Sequence, residues 1–443
     1  MAILTKEEAQ ALLKKVLSYS KADECEVGLN GRMGGNIRTA LNAVSTAAET
    51  SGTSLFVSST FGKKTGSASI NEFDDASLEK VVRRAEELAQ LAPENPEHMP
   101  LLGPTTFKEA ITWNDDTAAM TPDTRAELIG KSMQATKEAG LVQAGFLENS
   151  SGFSAVMNSK GLFAYNKSSD VTFSVTTRND TGTISGYAAR GFTDIKKLDT
   201  YGATKIACMK ANASKEAKAI EPGKYTVILE PVAATYMLEN MFRFDARSAE
   251  EGRSFLSKKG GGTRLGDQLM DEKVTIYSDP FNTELPGSTW DRDGMPLEKT
   301  YWIDKGVVKN LSYSRYWAEK KGVKPIPGPS NIIMEGGNSS IEEMIASTER
   351  GILVSRLWYI RMVDQQTLLL TGLTRDGTFY IENGKIKFPV KNFRFNESPV
   401  IMLNNVEALG KPERSISVES YRSYLIPPMK IRDFTFSSLS DAV

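Results

Sequence analysis

The pattern of apolar and polar positions predicts helices and short strands along the first part of the chain. Thr5-Lys-Glu-Glu8 is a capping box, and apolar residues follow it at helical spacing as far as Leu17, which predicts a first helix. A second helix is predicted to begin near Ser77, because its apolar residues also share one face. Between the two, runs of β-forming residues predict short strands at 25–29 and 54–58.

The middle of the chain predicts one helix followed by a meander of strands. Thr121-Pro122 is typical of an N-cap followed by proline at the first helical position, and Gly140 is a plausible end of that helix. From about 141 to 191, short β-type runs alternate with turn signals.

The last part of the chain is predicted to be rich in strands. A strand at Tyr225–Leu229 and a helix beginning at Pro231 come first, and short strands follow. Tight turns are predicted at Asp304-Lys-Gly306, Asp376-Gly377 and Asn383-Gly384, the last of which separates two β-type runs and predicts a hairpin.

Two boundaries divide the chain, the Pro-rich stretch 93–104 and Glu221-Pro-Gly223. We therefore predict an α+β fold with two lobes, an N-terminal α/β sandwich-like part and a β-rich, barrel-like C-terminal domain. The predicted units are an N-terminal α+β unit (1–92), a Pro-rich linker (93–104), a central helix plus strand meander (105–220) and the β-rich C-terminal domain (221–443).

Composition and charge exclude several classes of protein. The 443 residues are 40% hydrophobic and 25% charged, as in a soluble globular protein. Because 54 basic residues face 55 acidic ones, we expect no direct binding of nucleic acid. The start is charged, the sequence holds no apolar run of roughly 18 residues, and two cysteines are too few for a disulfide framework. These features predict a cytoplasmic protein with no membrane partner.

The single histidine, His98, limits the catalytic chemistry. A Ser-His-Asp triad or a Cys-His pair would need it, yet it lies between prolines in a predicted exposed linker. His98, Cys25 and Cys208 fall in three different elements, without the spacing of metal ligands. We therefore predict no catalytic residue and no metal site in this chain.

Two segments of the last domain are candidates for a binding site. The loop Gly260-Gly-Gly-Thr-Arg-Leu-Gly266 lacks the Gly-Lys-Ser/Thr ending of a phosphate-binding loop, which favours a mobile loop near a site. The dense charge run from Arg243 to Arg253 favours a solvated face, with the wall of a polar cleft as the alternative. The aromatic residues of this domain are expected in core or interface packing.

Several short segments follow one another in a recognisable order: Ala22–Val27, Phe61–Ser69, Gly223–Pro231, Asp304–Leu311 and Tyr380–Ile386. Their order resembles that of the TldD/PmbA family, whose members are also called modulators of DNA gyrase. The resemblance covers nearly the whole chain. It is made of many short matches rather than one motif.

The resemblance implies which of two subunit types this chain represents. One type carries a His-Glu-x-x-x-His helix and a later cysteine that together bind zinc, with both histidines on one face of the helix. Here the corresponding helix, at 234–244, keeps Glu239 but has no histidine, and no cysteine follows Cys208. The chain is thus similar to the metal-free PmbA/TldE type, with zinc expected only in a TldD-like partner.

The function that the resemblance implies is that of a subunit in a cytoplasmic metalloprotease acting on unfolded peptides. This chain would serve as partner and as a wall of the substrate channel, in a heterodimer with a TldD-like zinc-bearing subunit or in a homodimer. The candidate groove residues are Glu239, Arg243, Gly260, Gly261 and Gly262. Two alternatives stay open: a non-proteolytic regulatory protein acting on gyrase or on a toxin–antitoxin system, and a solitary hydrolase that uses carboxylates alone.

Overall fold

The first half of the chain forms one antiparallel sheet with helices on one face. The structure, a computed structural model, describes residues 3–417, 419–420 and 422–440. The strands of this N-terminal sheet are β1 (Glu24–Ala40), β2 (Ala43–Phe61), β3 (Lys64–Ile70), β4 (Val142–Asn158), β5 (Phe163–Arg178) and β6 (Ser185–Phe192). The helices are α1 (Lys6–Ser18), α2 (Asp75–Leu91), α3 (Asp115–Ala118), α4 (Pro122–Glu138) and α5 (Thr200–Ala213).

The strand order is β3-β2-β1-β4-β5-β6, so the sheet continues across the Pro-rich linker. Strand β1 pairs with β4 from Glu26↔Asn158 to Ala40↔Ala144. Segments 1–92 and 105–220 therefore share one sheet, and the division into these units stays a prediction.

Alternation along the long strands gives the sheet one apolar face and one polar face. On the apolar face, Val27 and Leu55 pack with residues of α1 and α2, and Phe173 packs with residues of α4 and α5. The helices approach closely at two glycines. A Cβ on Gly66 would lie 2.1 Å from the backbone nitrogen of Ala89, and one on Gly186 would lie 2.0 Å from the carbonyl oxygen of Ala207.

The second half of the chain forms a barrel and a further sheet. The helices are α6 (Pro231–Leu238), α7 (Ala246–Glu250), α8 (Arg315–Lys321), α9 (Ile341–Ala346) and α10 (Pro399–Asn404). The strands are β7 (Gly223–Leu229), β8 (Ile276–Ser278), β9 (Thr300–Asp304), β10 (Val307–Val308), β11 (Ile333–Met334), β12 (Arg350–Asp364), β13 (Leu369–Glu382), β14 (Lys385–Pro389), β15 (Phe393–Glu397), β16 (Val406–Leu409), β17 (Glu413–Ser417), β18 (Arg422–Ile426) and β19 (Met429–Leu439).

The barrel closes because β13 pairs back onto β12 at the end of the order β12-β7-β19-β15-β13. The further sheet has the order β10-β9-β8-β11-β18-β17. One apolar cluster joins the two, since Trp302 of β9 belongs to the same core as Val227 of β7 and Ile431 of β19. The prediction of an α+β fold with a barrel-like C-terminal domain is confirmed.

Local signals with a specific hydrogen-bonding role are confirmed. Thr5 and Glu8 form the reciprocal capping box of α1, and Thr121 caps α4 with proline at its first turn. Gly140, with φ of 65°, follows that helix. The hairpin around Asn383-Gly384 joins β13 to β14.

The strands predicted at 25–29 and 54–58 are present, but they are only parts of β1 and β2, which are 17 and 19 residues long. One turn prediction is wrong in the structure. Asp376-Gly377 is not a turn between strands. It lies inside β13 opposite Ser355, where the register of the β12–β13 ladder shifts, and Asp376 and Gly377 both have positive φ. An Asp-Gly pair satisfies a strand bulge as well as a turn, because both need positive φ.

None of the helices in the described ranges is both long and apolar enough to span a membrane.

Candidate functional site: a polar trough on the N-terminal sheet

The polar face of the N-terminal sheet borders a trough of about 990 Å³. It arises because β1, β4 and β5 place mostly small polar residues at the alternate positions that face away from the helices. Side chains along the trough include those of Asn30, Ser54, Ser150, Ser154, Ser168 and Thr172. The backbone groups of β1, β4 and β5 are paired within the sheet, so what the trough offers a bound polypeptide is its side-chain hydroxyl, amide and charged groups.

Charged groups of both signs lie along the trough. Arg32 and Glu148 form an ion pair at 3.2 Å between side chains that are 65% and 30% exposed. Nearby, the Ser150 hydroxyl donates a hydrogen bond of 2.8 Å to Asp170. The trough therefore offers donors and acceptors together, which suits peptide groups better than a ligand of one charge.

The C-terminal domain supplies one wall of the trough through Ile416 on β17. Ile416 belongs to an apolar cluster with Tyr187 and Ala189 of β6, against which Val232 of α6 packs. Helix α6 thus lies directly behind the place where the two lobes meet.

Arg414, on the same strand β17, is held at this junction of the lobes. Its guanidinium donates to Thr193 Oγ1 at 3.1 Å and to the carbonyl oxygen of Glu284 at 3.0 Å. Burial lowers the pKa of Arg414 to about 10, against the opposing influence of Asp170. The guanidinium therefore ties the wall of the trough to the N-terminal lobe.

Three family models match the chain in sequence order. They are the PmbA/TldA metallopeptidase domain 1 at residues 25–89, the central domain at 115–219 and the C-terminal domain at 222–438. The chain belongs to the PmbA/TldD family. The family assignment made from the short segments is thereby confirmed.

Relatives of the chain match it over nearly its full length. The metalloprotease PmbA of Escherichia coli O157:H7 is 22% identical, over 97% of this chain and 98% of that protein. The crystal structure of TldE from Thermococcus kodakarensis has a TM-score of 0.86 at 19% identity, covering 97% and 99% of the two chains. A candidate modulator of a DNA gyrase from Thermotoga maritima has a TM-score of 0.85 at 16% identity, covering 97% and 100%. At these identities, the structural likeness establishes the fold.

Helix α6 covers the first part of segment 234–244, which resembles the family's zinc-site helix, and its side chains are almost all buried and apolar. Ala233, Ala234, Tyr236, Met237 and Leu238 have exposed fractions of 0%. Such residues pack a core and offer a metal ion no ligand.

Glu239 begins the 3₁₀ turn that follows α6, Glu239–Met241. Burial raises the pKa of its carboxyl, while hydrogen bonding to Ser420 and Ser417 acts in the opposite direction. The side chain thus faces the connection between β17 and β18 near the trough wall.

The other predicted groove residues lie elsewhere. Arg243 is exposed just beyond that turn, whereas Gly260, Gly261 and Gly262 form an exposed turn closed by a 3.0 Å hydrogen bond from Lys258 N to the carbonyl of Gly262. The structure gives Glu239 and the glycine turn different neighbours, and a groove shared by all five residues stays a prediction.

The charge run from Arg243 to Arg253 is used locally. Asp245 caps α7 by accepting from the backbone nitrogen of Ser248 at 2.7 Å. Arg247 pairs with Glu251 at 3.0 Å and with Glu97 of the Pro-rich linker at 2.8 Å. The run therefore caps a helix and fastens the linker to the C-terminal domain.

In the described part of the chain, the side chains that could bind a metal ion are not grouped into a site. No group of three or more His, Cys, Asp or Glu side chains within 3–417, 419–420 and 422–440 is placed to hold a metal ion. Cys25 and Cys208 are both buried, in the separate elements β1 and α5. The zinc chemistry implied by the family name does not fit these residues.

Sequence reasoning missed a buried ionic cluster between the lobes, which we name the barrel junction. It consists of Tyr187, Lys210, Glu230, Arg356 and Asp376. Arg356 pairs with Asp376 at 2.7 Å, and its guanidinium lies 3.8 Å from the ring centroid of Tyr187. Lys210 of α5 pairs with Glu230 at 2.5 Å. The local sequence feature that belongs to this cluster is Asp376-Gly377, a pair that by itself predicts a tight turn.

A second cluster, the linker junction, consists of Glu24, Glu26, His98, Asp293 and Arg315. His98, predicted to be exposed, has a side chain that is only 17% exposed, because its Nε2 lies 3.3 Å from Glu24 Oε2. Glu26 and His98 line a cavity of about 270 Å³ with Asp293 and Arg315. Burial, followed by the charge of Asp293, raises the pKa of Glu26 to about 7.

Proposed function

We propose that this chain is a PmbA/TldE-like subunit of a cytoplasmic TldD/TldE-type metalloprotease that acts on unfolded peptides. In that assembly it binds no zinc itself and forms part of the substrate channel. Its partner is a TldD-like zinc-bearing subunit, and a second copy of the chain takes that place when it is expressed alone.

The observation that carries the proposal is the trough on the polar face of the N-terminal sheet. Its hydroxyl, amide and charged side chains offer donors and acceptors over several strands, and its wall at Ile416 adjoins α6. In a zinc peptidase, the metal polarises the scissile carbonyl and activates water, while other groups must hold the peptide. In this proposal the trough holds the peptide, and α6 supplies no zinc ligand because its buried side chains are almost all apolar.

The first test compares peptidase activity with and without the partner. The probe is fluorescein-labelled β-casein, incubated with this chain, with a TldD-type subunit from the same organism, and with both. Cleavage is expected only when both are present, and metal analysis of this chain alone should find far less than one zinc per chain. If the mixture were no more active than the zinc-bearing subunit alone, the regulatory alternative would replace the proposal.

A matched pair of variants locates the peptide. Ser154 lies in the trough, whereas Ser67 lies on β3, exposed on the same face of the sheet but outside the trough. Ser154→Trp fills the trough and should lower the rate of casein cleavage by the mixture at least tenfold. Ser67→Trp should leave that rate unchanged. Equal rates for both variants would exclude the trough as the peptide site.

A further inference from the structure

Within the described residues, the first part of strand β2 in the N-terminal sheet has a neighbouring strand on only one of its two sides. Strand β2 pairs with β1 from end to end, but β3 covers only its second part, Leu55–Phe61. No other strand in the described part of the chain pairs with Ala43–Ser54. We name Ala43–Ser54 the free edge segment.

Every residue from 43 to 52 is exposed, on both faces of the sheet. The free edge segment reads Ala-Val-Ser-Thr-Ala-Ala-Glu-Thr-Ser-Gly-Thr-Ser, with Glu49 its single charged residue. Glu49 reaches back to Arg125 of α4 at 2.5 Å. Apart from Glu49, the segment therefore has small or uncharged side chains, and it makes little contribution to a core.

Proteins usually protect such edges with lysine, proline, a bulge or a covering element. The free edge segment contains no lysine and no proline. The irregularity in the β1–β2 ladder lies at its far end, next to Arg38 and Thr39 of β1. From Ala47 to Ser54 the ladder is regular, so the outer row of backbone groups is straight and accessible.

The chemistry of this edge selects an extended polypeptide. Twelve residues of strand span about 40 Å, and alternate residues direct both N–H and C=O away from β1. The partner that satisfies such a row is another strand, held by its main chain. Because the side chains of the segment, apart from Glu49, are small or uncharged, they impose little selection on the sequence of that strand.

The free edge segment leads into the trough. Gly52, Thr53 and Ser54 line the trough, as does Asn71, which directly follows β3. A strand added along Ala43–Gly52 would occupy the same row as β3 and meet the chain at Asn71. Because β3 already pairs with the rest of β2, the added strand could continue only by turning away from the edge of β2, and the trough opens at that point.

We propose that the free edge segment is a docking site for an extended polypeptide, which joins the sheet by main-chain hydrogen bonds and continues into the trough. This inference rests on the proposed function and names the site where the unfolded substrate is first held. Recognition there depends on the backbone, so it accepts many sequences.

The experiment uses the purified full-length chain and a synthetic peptide of alternating Thr and Ala, twelve residues long, with a lysine at each end. Amide hydrogen exchange is followed by mass spectrometry, and binding by fluorescence anisotropy. The peptide should slow exchange in residues 43–54 at least tenfold and leave β6, the opposite edge of the sheet, unchanged. The matched control is the same peptide with alternate N-methylated amides, which should bind at least tenfold more weakly.

A pair of proline variants tests the edge on the protein side. Ala47 and Ala48 are adjacent, so one directs its N–H towards β1 and the other directs it outward. Ala47→Pro and Ala48→Pro are both made. The variant that removes the outward-directed N–H should keep the melting temperature within a few degrees and weaken peptide binding at least fivefold. A folded outward variant that binds with unchanged affinity would overturn the proposal.

Two further results would also overturn it. Equal binding of the N-methylated peptide would show recognition without backbone donors. Protection of residues 43–54 that grows with protein concentration in the absence of peptide, together with a dimer in light scattering, would assign the edge to a second copy of the chain. Failure of the proposed function looks different, because peptide binding at 43–54 would then be present while the casein assay stays inactive.

Discussion

The barrel junction and the linker junction both place charged groups between the lobes, but they differ in how those charges are balanced. At the barrel junction, the Asp376 side chain has 0% exposure and faces Arg356, and Lys210 faces Glu230. At the linker junction, Glu24 pairs with Lys160 at 3.6 Å, and Glu26 lines a cavity together with Asp293, Arg292 and Arg315. Burial, followed by the charge of Asp293, raises the pKa of Glu26 to about 7. A buried charge held by a close partner of opposite sign fixes a contact, whereas a carboxyl whose pKa is raised by burial makes the contact depend on pH.

Removal of Asp376 should have the largest effect. Asp376→Ala leaves Arg356 buried beside Tyr187 without its carboxylate, which should cost about 3–5 kcal/mol in the free energy of unfolding. Urea unfolding followed by tryptophan fluorescence measures it. The control is Arg356→Met combined with Asp376→Ala, which should cost less than the two single changes together. The strain of Ala at the positive φ of Asp376 is common to the single Asp376→Ala variant and the double variant, so it cancels from that comparison. Additive costs would show that the two residues do not act as a pair.

The linker junction should instead respond to pH. With a pKa of about 7 in the folded protein against 4.5 when unfolded, Glu26 holds its proton more tightly in the folded state. Stability is therefore lost as pH rises from about 4.5 through 7, and the full cost is present above pH 7. Glu26→Gln should stabilise the protein at pH 8, by up to about 3 kcal/mol, and have little effect at pH 4.

Thermal melts of the Glu26→Gln variant at the two pH values check this expectation. Glu94→Gln, which alters an exposed carboxylate of the same linker, serves as the control. It should leave the melting temperature unchanged at both pH values. An equal shift from Glu26→Gln at pH 4 and pH 8 would contradict titration of Glu26.

Loss of the Lys210 ammonium should have an intermediate effect. Lys210→Met leaves Glu230 with the Ser355 hydroxyl at 3.0 Å but without its cation. Since both side chains keep 12–16% exposure, we expect a cost of about 2 kcal/mol in urea unfolding. Lys215→Met, an exposed lysine just after the same helix, should cost less than about 0.5 kcal/mol. Equal costs for the two would remove Lys210 from the barrel junction.

The smallest effect is expected on the surface of the C-terminal domain. Arg253 pairs with Glu251, but their side chains are 57% and 36% exposed, so solvent screens the attraction. Arg253→Ala should change the free energy of unfolding by less than about 0.5 kcal/mol. A loss of 2 kcal/mol or more would mean that exposed pairs contribute as much as the buried junction does.

The parts of the fold that followed from the sequence are those decided by a few neighbouring residues. The capping box of Thr5 and Glu8, the N-cap Thr121 before Pro122 and the Asn383-Gly384 hairpin each satisfy or direct nearby backbone groups, so local sequence determines them. The resemblance of ordered segments gave the family, and the barrel followed from strand-rich composition.

What the sequence did not reveal depends on contacts between distant segments. The length of β2 was missed because its first part is exposed on both faces and shows no apolar alternation. The burial of His98 depends on Glu24, which is 74 residues away in the chain. The trough and the barrel junction are likewise built by residues from both lobes. The proposed groove of Glu239, Arg243 and Gly260–Gly262 stays a prediction.

The pairing of β1 with β4 has a consequence for how the N-terminal lobe folds. The first three strands are completed by a neighbour that lies more than a hundred residues later, across the Pro-rich linker. Such distant pairing is slow to form, because a long loop must close before any contact rewards it. A ribosome must therefore deliver β4 before β1 gains its second neighbour, and a polypeptide cut within the linker would still hold together through the ladder between its two pieces.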